Sequence, residues 1–322
     1  KFGEYMALAL HSPAAYHLLL WLTGLPGTTV TRHRDPPAGK WVLCGYGSFG
    51  KVMTQALENA ALPVTIIDRA PPVDPAHHWV KGDGTGADAL GSAGIHDAVG
   101  IVAATGNDVN NLSIVVTAHQ MNPALFTVLR QNHVANRALF EAFESDFTMV
   151  PSEIVAHECL AILTTPLLAP FLEAVRKADD DWAEGLLNEV TERFGWGVPA
   201  VWSVAINIAQ APSVYRMLMR HECRLQLGEL LRAPVTDRPE LACRPLLLLR
   251  EGDPPVILPG AGQEILPGDQ LLFVGDDRAR KDLGLTLFNA HTLKYVLTGQ
   301  DSPGGLIWEW LARRRAGQGA TP

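Results

Sequence analysis

Three glycines set out the first chemistry in this chain. Gly45-Tyr46-Gly47-Ser48-Phe49-Gly50 fits G-x-G-x-x-G, with an apolar run over residues 41–44 before it and a helical pattern over 52–61 after it. In that setting Gly45 permits a tight turn, Gly47 lets the backbone approach a pyrophosphate, and Gly50 lets helix and strand lie close together. The start of the helix then presents free N–H groups and a partial positive charge to phosphate oxygens. Asp68 closes the next apolar run, where its carboxylate can accept both ribose hydroxyls. Its charge repels a 2′-phosphate, which favours NAD(H), ADP or ATP over NADP, while the adjacent Arg69 works against that exclusion. The competing reading is a vestigial turn that binds nothing.

Two further loops follow apolar runs. Gly82-Asp83-Gly84-Thr85 puts Asp83 and Thr85 within reach of an adenine or ribose, or else is a plain turn with an Asp cap. Thr105-Gly106-Asn107-Asp108, with Asn110, opens a helix, so that capping and phosphate contact can coexist. Arg130 follows a later run, as a candidate phosphate partner or else a plain surface cation. No catalytic constellation emerges: there is no Tyr-x-x-x-Lys pair and no G-x-S-x-G, and His119 and His133 stand alone. The four cysteines contain no C-x-x-C pair, so neither a zinc site nor a disulfide framework is indicated, and a reducing compartment fits. His77-His78, Asp179-Asp180-Asp181 and Asp276-Asp277 read as charged surface loops rather than metal ligands.

The elements that must position these loops alternate. Apolar runs at 41–44, 64–68, 78–82, 100–105, 125–129 and 147–150 are separated by helical patterns at 52–61, 87–93, 110–121 and 135–143. That alternation predicts an α/β fold, a Rossmann-like doubly wound parallel sheet with right-handed crossovers. Residues 151–174 read as helical with a break at Pro166, and 179–222 as helix, strand (200–208) and helix. The remainder reads as a small β-rich α+β lobe with turns at Glu251-Gly252-Asp253 and Pro267-Gly268-Asp269. The expected organisation is a helical segment and linker over 1–35, a nucleotide-binding lobe over 38–152, crossover helices over 153–178, a C-terminal lobe over 179–300 and a frayed tail over 301–322. Ala9-Leu10-His11-Ser12-Pro13 echoes Ile162-Leu163-Thr164-Thr165-Pro166, either as a coincidence between two Pro-kinked amphipathic helices or because residues 1–22 are the closing helix of an earlier copy of the same domain.

The 322 residues include Lys+Arg 26 against Asp+Glu 34, a net charge of −8, which argues against a nucleic-acid partner. A hydrophobic fraction of 47% and a charged fraction of 19% are those of an ordinary globular chain. No stretch reaches the ~18 apolar residues of a membrane span, and Lys1 stands where an initiator Met would, so a soluble piece of a longer protein is expected.

Taken together, Gly45–Gly50, Ile67-Asp68, Gly82-Asp83-Gly84-Thr85, Ala104-Thr105 through Asn110-Asn111, and Val128-Leu129-Arg130 make residues 40–175 similar to the nucleotide-binding lobe of the RCK (KTN, TrkA-type) regulators of potassium conductance. Leu246–Arg250 and Ile265–Gly275 make residues 220–298 resemble that family's smaller TrkA-C lobe. The resemblance implies a cytoplasmic, non-enzymatic sensor at the membrane face. It would dimerise through helices near 153–175, assemble into an octameric-type ring beneath a K⁺ channel or transporter pore, and gate it on binding NAD(H) or ADP/ATP. The alternatives are an NAD-dependent oxidoreductase on the same core and an assembly module with an empty cleft.

Overall fold

The computed structural model describes residues 5, 8–9, 12–24, 34, 36–71, 77–143, 145–221, 224–234 and 240–299. The tail expected to fray lies outside these residues. The chain divides into two compact units, the first formed by Lys1–Ala161, Val175–Thr191 and Trp196–Val198. In order it contains α1 (Pro13–Thr23), β1 (Trp41–Cys44), α2 (Ser48–Asn59), β2 (Val64–Asp68), β3 (His78–Lys81), α3 (Ala87–Ser92), β4 (Gly100–Ala103), α4 (Asp108–Met121), β5 (Phe126–Arg130), α5 (Arg137–Glu141) and β6 (Phe147–Met149). Helices α6 (Pro151–Thr164), α7 (Leu168–Lys177) and α8 (Asp180–Phe194) follow along the chain, of which the first unit holds α6 as far as Ala161, α7 from Val175 and α8 as far as Thr191.

All six strands run parallel in the order β3-β2-β1-β4-β5-β6, the predicted doubly wound sheet. Its interior strands are covered on both faces, which is why they read as unbroken apolar runs. Trp41, Val42, Leu43 and Cys44 are all fully buried. Val42 and Cys44 share one core with Ile101, Ala103, Leu90, Ile95, Ile114 and Ala118. On β4, Gly100 gives room to the Trp41 ring, since a Cβ there would lie 2.6 Å from it. The order of strands reverses between β1 and β4, and at that point the carboxyl ends of an open α/β sheet leave a crevice.

Two helices begin earlier than their apolar periodicity suggested. Helix α2 starts at Ser48 because the glycine loop is itself the first turn, with the Lys51 amide donating to the Gly47 carbonyl at 3.0 Å. Helix α4 starts at Asp108 because Asn107 caps it, Oδ1 accepting from the Asn110 amide at 3.0 Å. In the expected linker Arg34 lies 3.3 Å from Asp146 and 5.2 Å from the Phe126 ring centre, and the Pro37 carbonyl accepts from Trp41 Nε1 at 3.3 Å.

Helix α1 is buried almost all round, from Ala14 to Thr23. Ser12 Oγ and the Ala14 amide both donate to Asp180 Oδ1, at 2.7 and 3.1 Å, and the Tyr16 ring lies 5.3 Å from Phe147. Before it, Tyr5 donates to Glu158 Oε2 at 3.3 Å, and Arg176 reaches Glu158 Oε1 at 2.7 Å. Burial and the Glu158 charge push the Tyr5 phenol up to about 12.

The second unit (Ile162–Ala174, Glu192–Gly195 and Pro199–Pro322) contains β7 (Ala200–Ala205), α9 (Pro212–Met219), β8 (Leu225–Gln226), α10 (Leu227–Leu230), β9 (Cys243–Leu249), β10 (Val256–Ile257), β11 (Glu264–Ile265), β12 (Gln270–Gly275), α11 (Asp277–Phe288) and α12 (Ala290–Thr298). Four antiparallel strands are ordered β10-β9-β12-β7, with a separate β11-β8 pair. Strand β7 stops at Ala205, short of the expected Ile208, because Gln210 Oε1 takes the Ala205 amide at 2.8 Å and turns the chain. Asp269, fully buried, accepts Arg250 Nε at 2.8 Å and a terminal guanidinium nitrogen at 2.9 Å. The β-rich reading of this lobe omitted α11 and α12. The buried positions of α11, Ala279, Leu283, Thr286 and Leu287, follow a helical period that the charges of Arg278, Arg280, Lys281 and Asp282 obscure.

Candidate functional site

The carboxyl ends of β1, β2, β4 and β5 surround a cleft of about 420 Å³ in the first unit. It is lined by Gly45, Gly47, Ser48, Ile67, Asp68, Arg69, Gly82, Asp83, Ala104, Thr105, Gly106, Asn107, Asn110 and Arg130. Ten of the fourteen residues singled out from the sequence are therefore on its wall. Tyr46, Phe49, Gly50 and Thr85 are beside it and support it. Ile67, Gly82, Ala104 and Gly106 are lining residues that belong to the quoted motifs without being singled out as ligand contacts. The signal for them was positional, since each stands at or next to the carboxyl end of a strand.

The glycines of the loop meet three different demands. Gly45 adopts φ +98°, in the left-handed region that side chains disfavour. A Cβ on Gly50 would lie 1.9 Å from the Gly45 carbonyl oxygen, so only glycine lets α2 approach β1 this closely. At Gly47 an added Cβ meets nothing within 4 Å: bare backbone faces the open cleft. The α2 N-terminus is thus open to an anion at Gly47 and Ser48.

Asp68 is fixed by two backbone donors. Tyr46 N–H reaches Oδ2 at 2.7 Å and Ala70 N–H reaches Oδ1 at 2.9 Å. The Tyr46 side chain turns aside, edge-on to Trp79 at 4.8 Å with the Lys51 ammonium 5.6 Å from its ring centre. Asp83 Oδ1 accepts from Thr85 N–H at 3.1 Å and Oγ at 2.8 Å, so Thr85 shapes the turn rather than the wall.

The opposite wall hangs on two buried polar residues outside the predicted set. Asn111, fully buried, accepts from the Thr105 amide (2.9 Å) and hydroxyl (2.6 Å) and donates to the carbonyls of Thr105 (3.0 Å) and Arg130 (2.7 Å). It clasps the ends of β4 and β5 together. Asp108 accepts from Asn132 N–H (2.6 Å), Asn132 Nδ2 (2.8 Å), His133 N–H (3.0 Å) and Asn136 Nδ2 (2.7 Å). Burial alone would raise its pKa, but these bonds outweigh it and hold the carboxyl below the ordinary range.

Arg130 lies between the two walls. Its guanidinium is 5.1 Å from the Phe49 ring centre, and its buried Nε has no hydrogen-bond partner. Burial lowers its pKa, and the Asp108 charge opposes that shift. An arginine with an unmet donor beside two helix N-termini fits an anionic group with several acceptor oxygens. Gly45, Gly47, Ser48, Asn107, Asn110 and Arg130 would hold phosphates, and Asp68 and Asp83 the sugar side.

The acidic and histidine pairs noted in the sequence serve local structure. Asp179 and Asp276 cap α8 and α11, Asp180 takes Ser12, and His77 meets Glu58 at 2.8 Å.

Residues 41–151 match the family model of the TrkA-N domain. The chain is 25% identical over 148 residues to Potassium channel protein 1 of Methanocaldococcus jannaschii, covering 44% of each protein. It is 27% identical over 136 residues to a Trk system potassium uptake protein TrkA homolog of Pyrococcus abyssi, covering 39% of this chain and 60% of that one. It thus spans less than two thirds of each of these relatives. Among solved structures, the GsuK channel aligns over 93% of this chain and 57% of its own, at 17% identity and a TM-score of 0.41. The GsuK channel bound to NAD aligns at 20% identity and a TM-score of 0.37, over 79% and 39%. No described helix is long and apolar enough to cross a membrane. Over residues 41–151 the chain is thus similar to a TrkA-N domain, the lobe found in regulators of potassium transport.

Proposed function

We propose that the cleft binds an adenosine nucleotide with a diphosphate, NAD(H) or ADP/ATP, and that the chain is a regulatory module of a potassium channel or transporter. The observation that carries this reading is the buried, unpartnered Nε of Arg130 at the meeting of the glycine loop and the α4 N-terminus. The potassium channel and TrkA homologues support the physiological side. In this reading residues 38–152 sense the ligand, 153–178 carry a homodimer contact to which exposed Leu160 and Leu163 would contribute, and 179–300 form the partner lobe, with its TrkA-C-like core at 220–298. Dimers would join into an octameric-type ring at the cytoplasmic face of the membrane, with no nucleic acid involved. Ligand binding favours one state of the ring over another and so biases the pore. We assign the cleft's charged groups, Asp68, Arg69, Asp83 and Arg130, to binding rather than catalysis.

Titration calorimetry of the whole chain with NAD⁺, NADH, ADP and ATP tests this. At least one should bind, and Arg130→Ala should weaken it by about tenfold or more, the loss of a charge-assisted contact. No heat with any of the four would favour the empty assembly module. Sustained NADH oxidation with carbonyl substrates would favour the oxidoreductase.

A further inference from the structure

Selection against a phosphorylated ribose is built from more than Asp68, a refinement that rests on the nucleotide reading above. The two backbone donors on Asp68, from Tyr46 and Ala70, hold its carboxylate so that it cannot swing away from a bulkier ligand. Arg69 follows it on the same wall, with its side chain 72% exposed. A free arginine there is the device by which Rossmann sites accept a 2′-phosphate. Here its guanidinium lies 3.5 Å from Asp83 Oδ2. Asp83 is held in turn, because its other oxygen is occupied by the Thr85 amide and hydroxyl. Those Thr85 hydrogen bonds are the chief cause of an Asp83 pKa below the ordinary carboxylate range, so the group is ionised throughout the neutral region.

We infer that Asp83 is a specificity-determining residue of this cleft: by engaging Arg69 across the mouth between β2 and the β3–α3 turn, it denies that cation to a 2′-phosphate. With Asp68, Asp83 and Arg69 together the rim keeps one net negative charge. An exposed ion pair at this distance adds little to stability. Its effect is on where the arginine points and on the charge that a ligand meets.

The test is the ratio of dissociation constants for adenosine 2′,5′-bisphosphate and adenosine 5′-monophosphate, by calorimetry on the whole chain. The native protein should prefer the monophosphate, and the preference should shrink as salt rises from about 0.02 to 0.5 M, because screening weakens the repulsion. Asp83→Asn keeps an acceptor for Thr85 while removing the charge. It should lower the ratio by about tenfold at low salt, and adding Arg69→Ala should cancel that gain. A native ratio that ignores salt, or an unchanged ratio in Asp83→Asn with the monophosphate still bound, overturns the inference alone. A gain that survives Arg69→Ala does the same. If neither probe nor any nucleotide binds the native chain, the nucleotide reading fails and this inference with it.

Discussion

Replacing Asp108 by Asn removes one charge and one acceptor from the post that supports the phosphate side of the cleft. The carboxylate takes four donors, two from Asn132 and one each from His133 and Asn136, and the residue is only 5% exposed. An amide offers one oxygen. If that oxygen keeps the Asn132 pair, the His133 amide and Asn136 Nδ2 are left facing another donor in a place water scarcely reaches. Two buried, unmet donors at about 1–3 kcal/mol each put the loss at about 2–6 kcal/mol. The pH dependence gives a second signature. The folded pKa of Asp108 is depressed below the ~3.9 of an unfolded aspartate, so its contribution is complete above that value and fades as pH falls through the folded one. Urea unfolding followed by circular dichroism should therefore show a wide gap between native and Asp108→Asn at pH 7 that narrows below about pH 4. A variant within about 0.5 kcal/mol of native at pH 7, or a gap that is constant with pH, would refute the reasoning.

Two substitutions in the same glycine loop should part company. Gly47→Val should leave the melting temperature near native, because its Cβ enters open space, and should abolish nucleotide heat by filling the phosphate position. Gly50→Ala should lower the melting temperature clearly, since its Cβ collides with the Gly45 carbonyl, costing about 1–3 kcal/mol or more. Asp68→Ala should weaken adenosine nucleotides strongly in calorimetry, through loss of the ribose acceptor and of the Tyr46 anchor together. In the second unit, Asp269→Ala takes the buried acceptor from two Arg250 nitrogens and from the Leu266 amide, and chemical denaturation should register about 3–5 kcal/mol of destabilisation.

The parallel sheet was legible because its strands are buried on both faces and punctuated by glycine loops, so that both the runs and their ends stand out. The cleft was legible for the same reason: ligand positions follow strand ends, and ten candidate residues line one wall or the other. What escaped was the scaffolding behind it. Asn111 and Asp108 look like ordinary residues of a helix's first turn, and only the proximity of β4 and β5 reveals that one is a clasp and the other a post. Thr85 and Tyr46 were assigned to the ligand on spacing, yet their donors face Asp83 and Asp68. Spacing finds the neighbourhood of a loop; which way a side chain turns is decided by the hydrogen bonds it completes. Helix α11 escaped for a different reason, a charged surface stripe that hides a narrow apolar one.

The burial of α1 has a practical corollary for anyone who would isolate the nucleotide lobe. The family match begins at residue 41, and a fragment cut there looks natural on paper. Such a cut would uncover the apolar bed now shielded by Leu18, Leu19 and Trp21, and would take Tyr5 from Glu158 and Ser12 from Asp180. The excised lobe would carry a sticky flank of its own making. Self-association measured on it would report the knife rather than the native assembly.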